Sequence, residues 1–293
     1  MDPKNLKDTI YEREGNIARI ILNRPDILNA LNMIGKGDET DEFYQCLDAA
    51  AEDDDVKVVI MKGRGRAFTV GHDLTKVGFL YGFGTGSKER RPSQRIRLNM
   101  DRDADVNGIL RIFLHPKVTI CQCHGYCYGG GTYFPLHSDL AIAAEDAQFG
   151  CPEQRLGFSG CGVPGITHMI LTIGLKRTLD LILTGRSVSG KEAAEIGLVN
   201  KAVPIDKLEE EVEKLAQAIC LLPRDGIAIG KATRHLIYDR LGLTGDYIPA
   251  YISHTFFTNL RWEPDEYNFF KERRDKGAKA GFHGRDERFQ GLV

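Results

Sequence analysis

The chain reads as an α/β protein built on a mostly parallel, layered sheet, and three observations predict this. Short runs rich in Val and Ile alternate with segments of helical period, the pattern of strands joined through helices. Several of those runs end directly in glycine or a tight turn. The chain has 293 residues, 42% hydrophobic and 27% charged, enough to bury a core in one large or two small units.

The first run, IARIIL (Ile17–Leu22), reads as a strand stopped by NRP, since Pro25 cannot continue the pairing. Phe43, Leu47 and Ala50 then fall at helical spacing, before an acidic turn at Glu52–Asp55. VKVVIM (Val56–Met61) is a second strand, Val118–Cys123 a third leading into the triplet Gly129–Gly131, and DLAIA (Asp139–Ala143) a fourth. The glycine-rich, then basic segment from Gly78 to Asp105 matches no regular element and reads as a surface loop or a cover over a site. Beyond it, LKRTLDLILTG predicts a helix ended by Gly185, and SVSGKEAAEIG another ended by Gly197. LVNKAVP closes at Pro204, Lys207–Cys220 is an amphipathic helix, and the rest reads as helical. A boundary is therefore drawn at Pro204, dividing residues 1–204 from a helical region at 205–293.

A formal net charge of −2 lacks the basic footprint of a nucleic-acid partner. The opening MDPKNLKDTIYEREG has no apolar signal-peptide core, and no run reaches the roughly 18 apolar residues of a membrane span. Seven cysteines in no disulfide-like framework suggest a reduced, cytoplasmic setting. Cys121, Cys123, His124 and Cys127 do not match the spacing of common zinc sites, and two of them sit in a predicted buried strand.

Three pieces carry the chemistry: AFTVGHDL (Ala67–Leu74), HGYCYGGG (His124–Gly131) and AQFGCPEQRLG (Ala147–Gly157). Each puts a tight turn after a strand, where an unpaired backbone amide can point into a pocket. Two such amides aimed at one oxygen stabilise the enolate of a thioester, and glycine lets main chain come that close.

These motifs, with NRPDILNAL, TGRSVSGKEAAEIGLVNKAVP and the tail FFKERR, resemble the crotonase (enoyl-CoA hydratase/isomerase) superfamily. The resemblance implies a spiral of ββα units with a helical C-terminal part that packs homotrimers, often paired into homohexamers. It implies an acyl-CoA thioester as substrate, coenzyme A entering only as part of that substrate, and no metal, flavin or nicotinamide. The amides of His72 and Gly130 take the oxyanion positions, and Glu153 of the Pro152–Glu153 dipeptide takes that of a catalytic glutamate. Ile27 and Leu28 fall in the segment lining the CoA cleft. Phe270 and Arg273 match a pair that in relatives reaches the coenzyme of a neighbouring subunit. Hydratases of the family carry a second glutamate two residues after the glycine triplet, and here that position is Tyr133. A phenol with an ordinary pKa near 10 is a donor at neutral pH, not a base. The resemblance therefore implies hydratase/isomerase-type chemistry resting on a single glutamate. The alternatives are a hydrolase, decarboxylase or carbon–carbon lyase of the same superfamily acting on a cyclic or aromatic acyl-CoA, or an idle CoA-ester-binding member.

Other residues have simpler readings. The His72 side chain is secondary to its amide, and His124 and His137 read as packing or hydrogen-bonding residues. Lys88, Arg90, Arg91, Arg95 and Arg97 read as a solvated loop or, alternatively, as contacts for the CoA phosphates, and Leu74, Phe79 and Phe158 as candidates to shape the acyl pocket.

Overall fold

The computed structural model describes residues 6–31, 39–75, 93–104, 108–158, 165–256 and 261–293. The first strand found has no counterpart in the sequence reading. β1 (Thr9–Glu14) turns through Gly15 and Asn16 into β2 (Ile17–Leu22), with Glu14 opposite Ile17. Gly15 adopts φ +55°, the left-handed conformation favoured in two-residue hairpin turns. α1 (Glu39–Glu52) and β3 (Val58–Gly63) follow. α2 (Gln94–Ala104) and the single turn α3 (Leu110–Phe113) lead to β4 (Val118–Cys123). β5 (Tyr126–Tyr128) enters a 3-10 turn at Gly129–Thr132 and then α4 (Tyr133–His137). β6 (Leu140–Ala144) and β7 (Gln148–Gly150) precede a second 3-10 turn at Pro152–Leu156. α5 (Ile166–Ile173), α6 (Leu175–Thr184), β8 (Ser187–Ser189), α7 (Gly190–Glu195) and β9 (Lys201–Val203) complete the α/β part. The helices α8 (Ile205–Cys220), α9 (Arg224–Arg240), α10 (Tyr247–Phe256), α11 (Phe269–Lys276) and α12 (Ala278–Glu287) finish the chain.

The main sheet has the order β1-β2-β3-β4-β6-β9, antiparallel at β1–β2 and parallel throughout the rest. All six residues of β4 are buried, as befits a central parallel strand covered on both faces. α8 covers one face, where Arg19 grips Glu213 through two bonds of 2.7 Å and Lys62 and Gln122 meet Glu209. Leu208, Val212 and Ala216 of that helix belong to the same core as the sheet, so the core crosses the line drawn at Pro204. β5, β7 and β8 form a second, smaller sheet, and its loops carry the site.

The segment read as irregular needs a partial correction, because α2 lies inside it. Ile96 and Leu98 of α2 are exposed, so its apolar stripe is poor. The helix is held instead by packing on α10 and by a buried Arg97–Asp101 ion pair of 2.8 Å between residues one helical turn apart. Arg97 is 0% exposed and is no part of a solvated loop. Lys88, Arg90, Arg91 and Phe79 lie outside the described residues. A second, smaller core of Leu156, Phe158, Phe269 and Phe270 joins the C-terminal helices to the body.

Candidate active site

The segment Phe68–His72, beyond the end of β3, runs beside residues 124–130. Phe68 N donates to His124 O (2.8 Å), Thr69 N to Tyr126 O (3.0 Å), and Tyr128 N returns to Thr69 O (3.2 Å). On its other side this segment is pinned to the loop after Pro25, through Leu31 N to Gly71 O (2.8 Å) and Asp73 N to Leu31 O (2.7 Å). Because Gly71 and Asp73 use their groups toward Leu31, alternation along extended backbone turns the His72 amide the other way. Gly71 has φ +76°, and a Cβ there would stand 2.4 Å from Tyr128 O and 2.8 Å from Gly130 N. Glycine at 71 is thus what lets the His72 and Gly130 turns close on each other. The Gly130 amide sits in the first turn of a helix, where it has no acceptor within the helix.

The triplet has a different reason at each position. Gly129 adopts φ +53° and faces Glu153, whose Oε1 would lie 3.2 Å from an added Cβ. A Cβ added at Gly130 would lie 3.0 Å from the His72 imidazole, and one at Gly131 would collide with Thr69 O at 2.7 Å.

Glu153 stands in the 3-10 turn Pro152–Leu156, started by its proline and ended by Gly157 at φ +90°. Trp262 packs against Gly157 and fixes this turn from outside. Glu153 Oε2 is shut off from water and has no hydrogen-bond partner among the described residues. Burial pushes the carboxyl up to about 7, opposed by its own backbone amide and by the charge of Arg285. A carboxyl that titrates near neutrality can both take and return a proton. Cys151 beside it is held as a thiol, its pKa pushed to about 12 by burial and by Glu153.

Tyr133 opens α4 and is buried, lining the same cavity of about 930 Å³ as His72, Gly130 and Glu153. Its neighbour Phe134 points the other way, edge-on to Phe43 (5.2 Å) and Phe68 (5.4 Å) in the core. Ile27 and Leu28 line the cavity too, as do Leu74 and Phe158. The structure therefore brings Ile27, Leu28, His72, Gly130, Tyr133 and Glu153 to one cavity. Two amides, one shielded carboxyl and one phenol around a single space suit proton transfer beside a carbonyl.

Phe270 and Arg273 are not brought there. Phe270 is 0% exposed, packed on Phe158 (5.7 Å), and the buried Arg273 leans on the Phe270 ring (5.9 Å). The tail reaches the cavity through Phe282, Arg285 and Asp286 instead. It lies on this chain's own 3-10 turn, with Arg155 bonded to Asp286 (3.3 Å) and seated over Phe289 (4.1 Å).

The sequence reading missed one polar wall. His254 of α10 lines the cavity, and behind it the Arg97–Asp101 pair receives the Thr255 hydroxyl (3.2 Å). Only the Arg97/Asp101 spacing of four hinted at it.

Among the described residues no group of His, Cys, Asp and Glu is arranged to hold a metal ion, and no helix is long and apolar enough to cross a membrane.

An α/β body with its site at strand ends and a helical C-terminal region is the architecture of the crotonase fold, and a model of the enoyl-CoA hydratase/isomerase family matches residues 12–276. The chain belongs to that family. A probable mitochondrial enoyl-CoA hydratase of Dictyostelium discoideum is 30% identical over 266 residues, 90% of this chain and 87% of the relative. A hydroxycinnamoyl-CoA hydratase-lyase of Pseudomonas fluorescens is 31% identical over 229 residues, 78% of this chain and 77% of the relative. The crystal structure of an enoyl-CoA hydratase/isomerase from Xanthobacter autotrophicus Py2 superposes with a TM-score of 0.82 at 30% identity, covering 97% of this chain and 99% of that one.

Proposed function

We propose that the chain processes an acyl-CoA thioester by hydratase/isomerase-type chemistry, with Glu153 as its single acid–base group. The carrying observation is the Glu153 carboxyl, shielded from water and titrating near 7, on one cavity with Gly130 and His72. In this reading the thioester oxygen accepts from the His72 and Gly130 amides. Glu153 removes a proton from the carbon chain, the charge moves to the oxygen as an enolate, and the proton returns at another carbon. Tyr133 donates a hydrogen bond to substrate or water and is not the base. Ile27 and Leu28 flank the CoA moiety, which is part of the substrate; no further cofactor is needed for these steps.

A second reading is a carbon–carbon lyase, hydrolase or decarboxylase of the family. It is favoured by Tyr133 at the position of the second hydratase glutamate, and by the hydratase-lyase among the relatives. Product analysis on straight, cyclic and aromatic acyl-CoA esters separates the two. Hydration or double-bond migration supports the first reading and cleavage products the second. Tight acyl-CoA binding without turnover of any ester would overturn both.

We also propose assembly as a homotrimer or a pair of trimers. Leu236 and Ile237 of α9 and Ile252 and Phe256 of α10 are exposed, apolar surface that neighbouring subunits would cover in this reading. A sedimenting species of 32.7 kDa that is fully active would count against it.

A further inference from the structure

The Glu153 carboxyl is not held in place by bonds of its own. Its Oε2 has no hydrogen-bond partner among the described residues, so its position is set by the turn Pro152–Leu156 that carries it. That turn is a 3-10 helix without a side-chain cap, and 3-10 hydrogen bonds are poorer than those of an α-helix. Something outside the turn must therefore fix it. Arg155, two residues after Glu153, is buried to the point that its side chain is 9% exposed, and it joins the turn to two other elements. Its Nε donates to Thr184 O at 2.6 Å, one of the carbonyls that the end of α6 leaves without a helical partner. Gly185, at φ +60°, makes room for this contact, since a Cβ there would stand 2.8 Å from Arg155 Nε. Nη1 reaches Asp286 of α12 (3.3 Å), and the guanidinium lies over the Phe289 ring (4.1 Å). Asp286 also accepts from Arg285 Nε (2.8 Å) and Nη2 (2.6 Å), which ties it to its own helix.

We propose that Arg155 is a positioning residue for Glu153, clamping the glutamate's turn to the end of α6 and to this chain's own α12. The proposal rests on the reading of Glu153 as the acid–base group. A planar guanidinium can donate along two fixed directions and still offer a face to a ring, which the point charge of a lysine cannot do. The three contacts come from three parts of the chain, so they fix the turn in more than one direction. Displacing a reacting group by about 1 Å can cost 100-fold in rate, so a loosened turn should be felt in turnover before it is felt in binding. The clamp also gives the C-terminal helix a function inside its own subunit, separate from the contact with a neighbour's coenzyme that the sequence implied for Phe270 and Arg273.

The test uses the full-length protein with Arg155→Met, which keeps the length of the side chain and removes its donors. Turnover is read on whichever of trans-2-hexenoyl-, trans-3-hexenoyl- and cinnamoyl-CoA the native chain uses best, and binding by calorimetry with hexanoyl-CoA. Arg155→Met should lower kcat roughly 10- to 100-fold while Kd stays within about threefold. In a Glu153→Gln background, followed by product accumulation over hours, it should cost less than about threefold further, because residues acting as a unit are not additive. A loss there as large as in the native background overturns the proposal. Weakened binding, alone or together with kcat, makes Arg155 a ligand contact or a fold element and overturns it too, as does an unchanged kcat. Should Arg155→Met fail to fold by circular dichroism, Phe289→Leu takes its place, since that ring is not among the residues lining the cavity. Its kcat should fall by about threefold or more with binding held, on the scale of a lost ring–cation contact, and an unchanged kcat overturns the proposal. If Glu153→Gln is fully active, or the native chain turns over none of the three esters, the acid–base reading falls and this proposal with it. If Glu153→Gln is inactive and Arg155→Met normal, only this proposal falls.

Discussion

Two walls of one cavity bury a carboxyl with different partners. On one side Glu153 is a single carboxyl with an oxygen left without a partner among the described residues, and burial drives it toward neutrality. On the other, burial pushes Asp101 up as well, to about 6, but Arg97 at 2.8 Å and the Thr255 hydroxyl oppose it. Stability alone would favour the second arrangement everywhere, because an unpartnered buried carboxylate is costly. In the proposed reading the first serves proton transfer, and carboxyls perturbed in this way cluster at functional sites.

The largest effect expected from this contrast is on turnover. Glu153→Gln keeps size and polarity but removes the proton acceptor, so kcat should fall by roughly 100- to 10,000-fold, the usual share of one acid–base group, with acyl-CoA binding nearly intact. Steady-state kinetics beside calorimetric binding measures both. A variant that loses binding and turnover together would show that Glu153 serves the fold.

Breaking the other wall should cost stability in place of chemistry. Asp101→Leu leaves the Arg97 guanidinium buried without its carboxylate, and losses of about 3–5 kcal/mol are typical of such a change. Denaturant unfolding reads it, and a loss below about 1 kcal/mol, the surface-pair range, would erase the distinction between the walls.

The same contrast has a pH signature. Glu153 binds its proton more tightly folded, near 7, than at its ordinary value of 4.5. The folded state therefore holds the extra proton between those values, and stability contributed by this group declines as pH rises from about 4.5 through 7. Glu153→Gln should unfold at a higher temperature than the native chain at pH 8, by about 1–3 kcal/mol of stability, with the gap closing toward pH 4.5. A gap constant with pH would assign the gain to something other than the proton.

Tyr133→Phe should be the mildest change. It removes one hydroxyl from a buried ring and should slow turnover by about 10- to 100-fold, the value of one lost hydrogen bond. If Tyr133→Phe were dead and Glu153→Gln active, the base would be the phenol, and the chemistry would lie outside the hydratase/isomerase type.

The legible parts of this protein are local ones. β4 runs from Val118 to Cys123 as read, α6 ends at a left-handed Gly185 as read, and the glycines at 71 and 129–131 mark close backbone approaches. Each is written in a few consecutive residues, as a period, a cap or a required φ. The β1–β2 hairpin went unread, although Gly15–Asn16 is a turn signal, because the polar residues before it masked the strand. The α2 helix was not, since its sequence is polar and exposed along much of its length and is fixed by α10.

By itself, then, the sequence determined the strand–helix alternation, the tight turns at Gly71–His72 and Gly129–Gly131, and the choice of Glu153 and Tyr133, which line one cavity. Only the tertiary structure decided that Arg97, read as a loop cation, lies buried against Asp101 behind His254, and that the tail meets the cavity through Phe282 and Arg285 while Phe270 fills a core. The physical reason is range. Periodicity and turn chemistry act over a few residues of chain, whereas desolvation of a charge depends on every segment that happens to close around it.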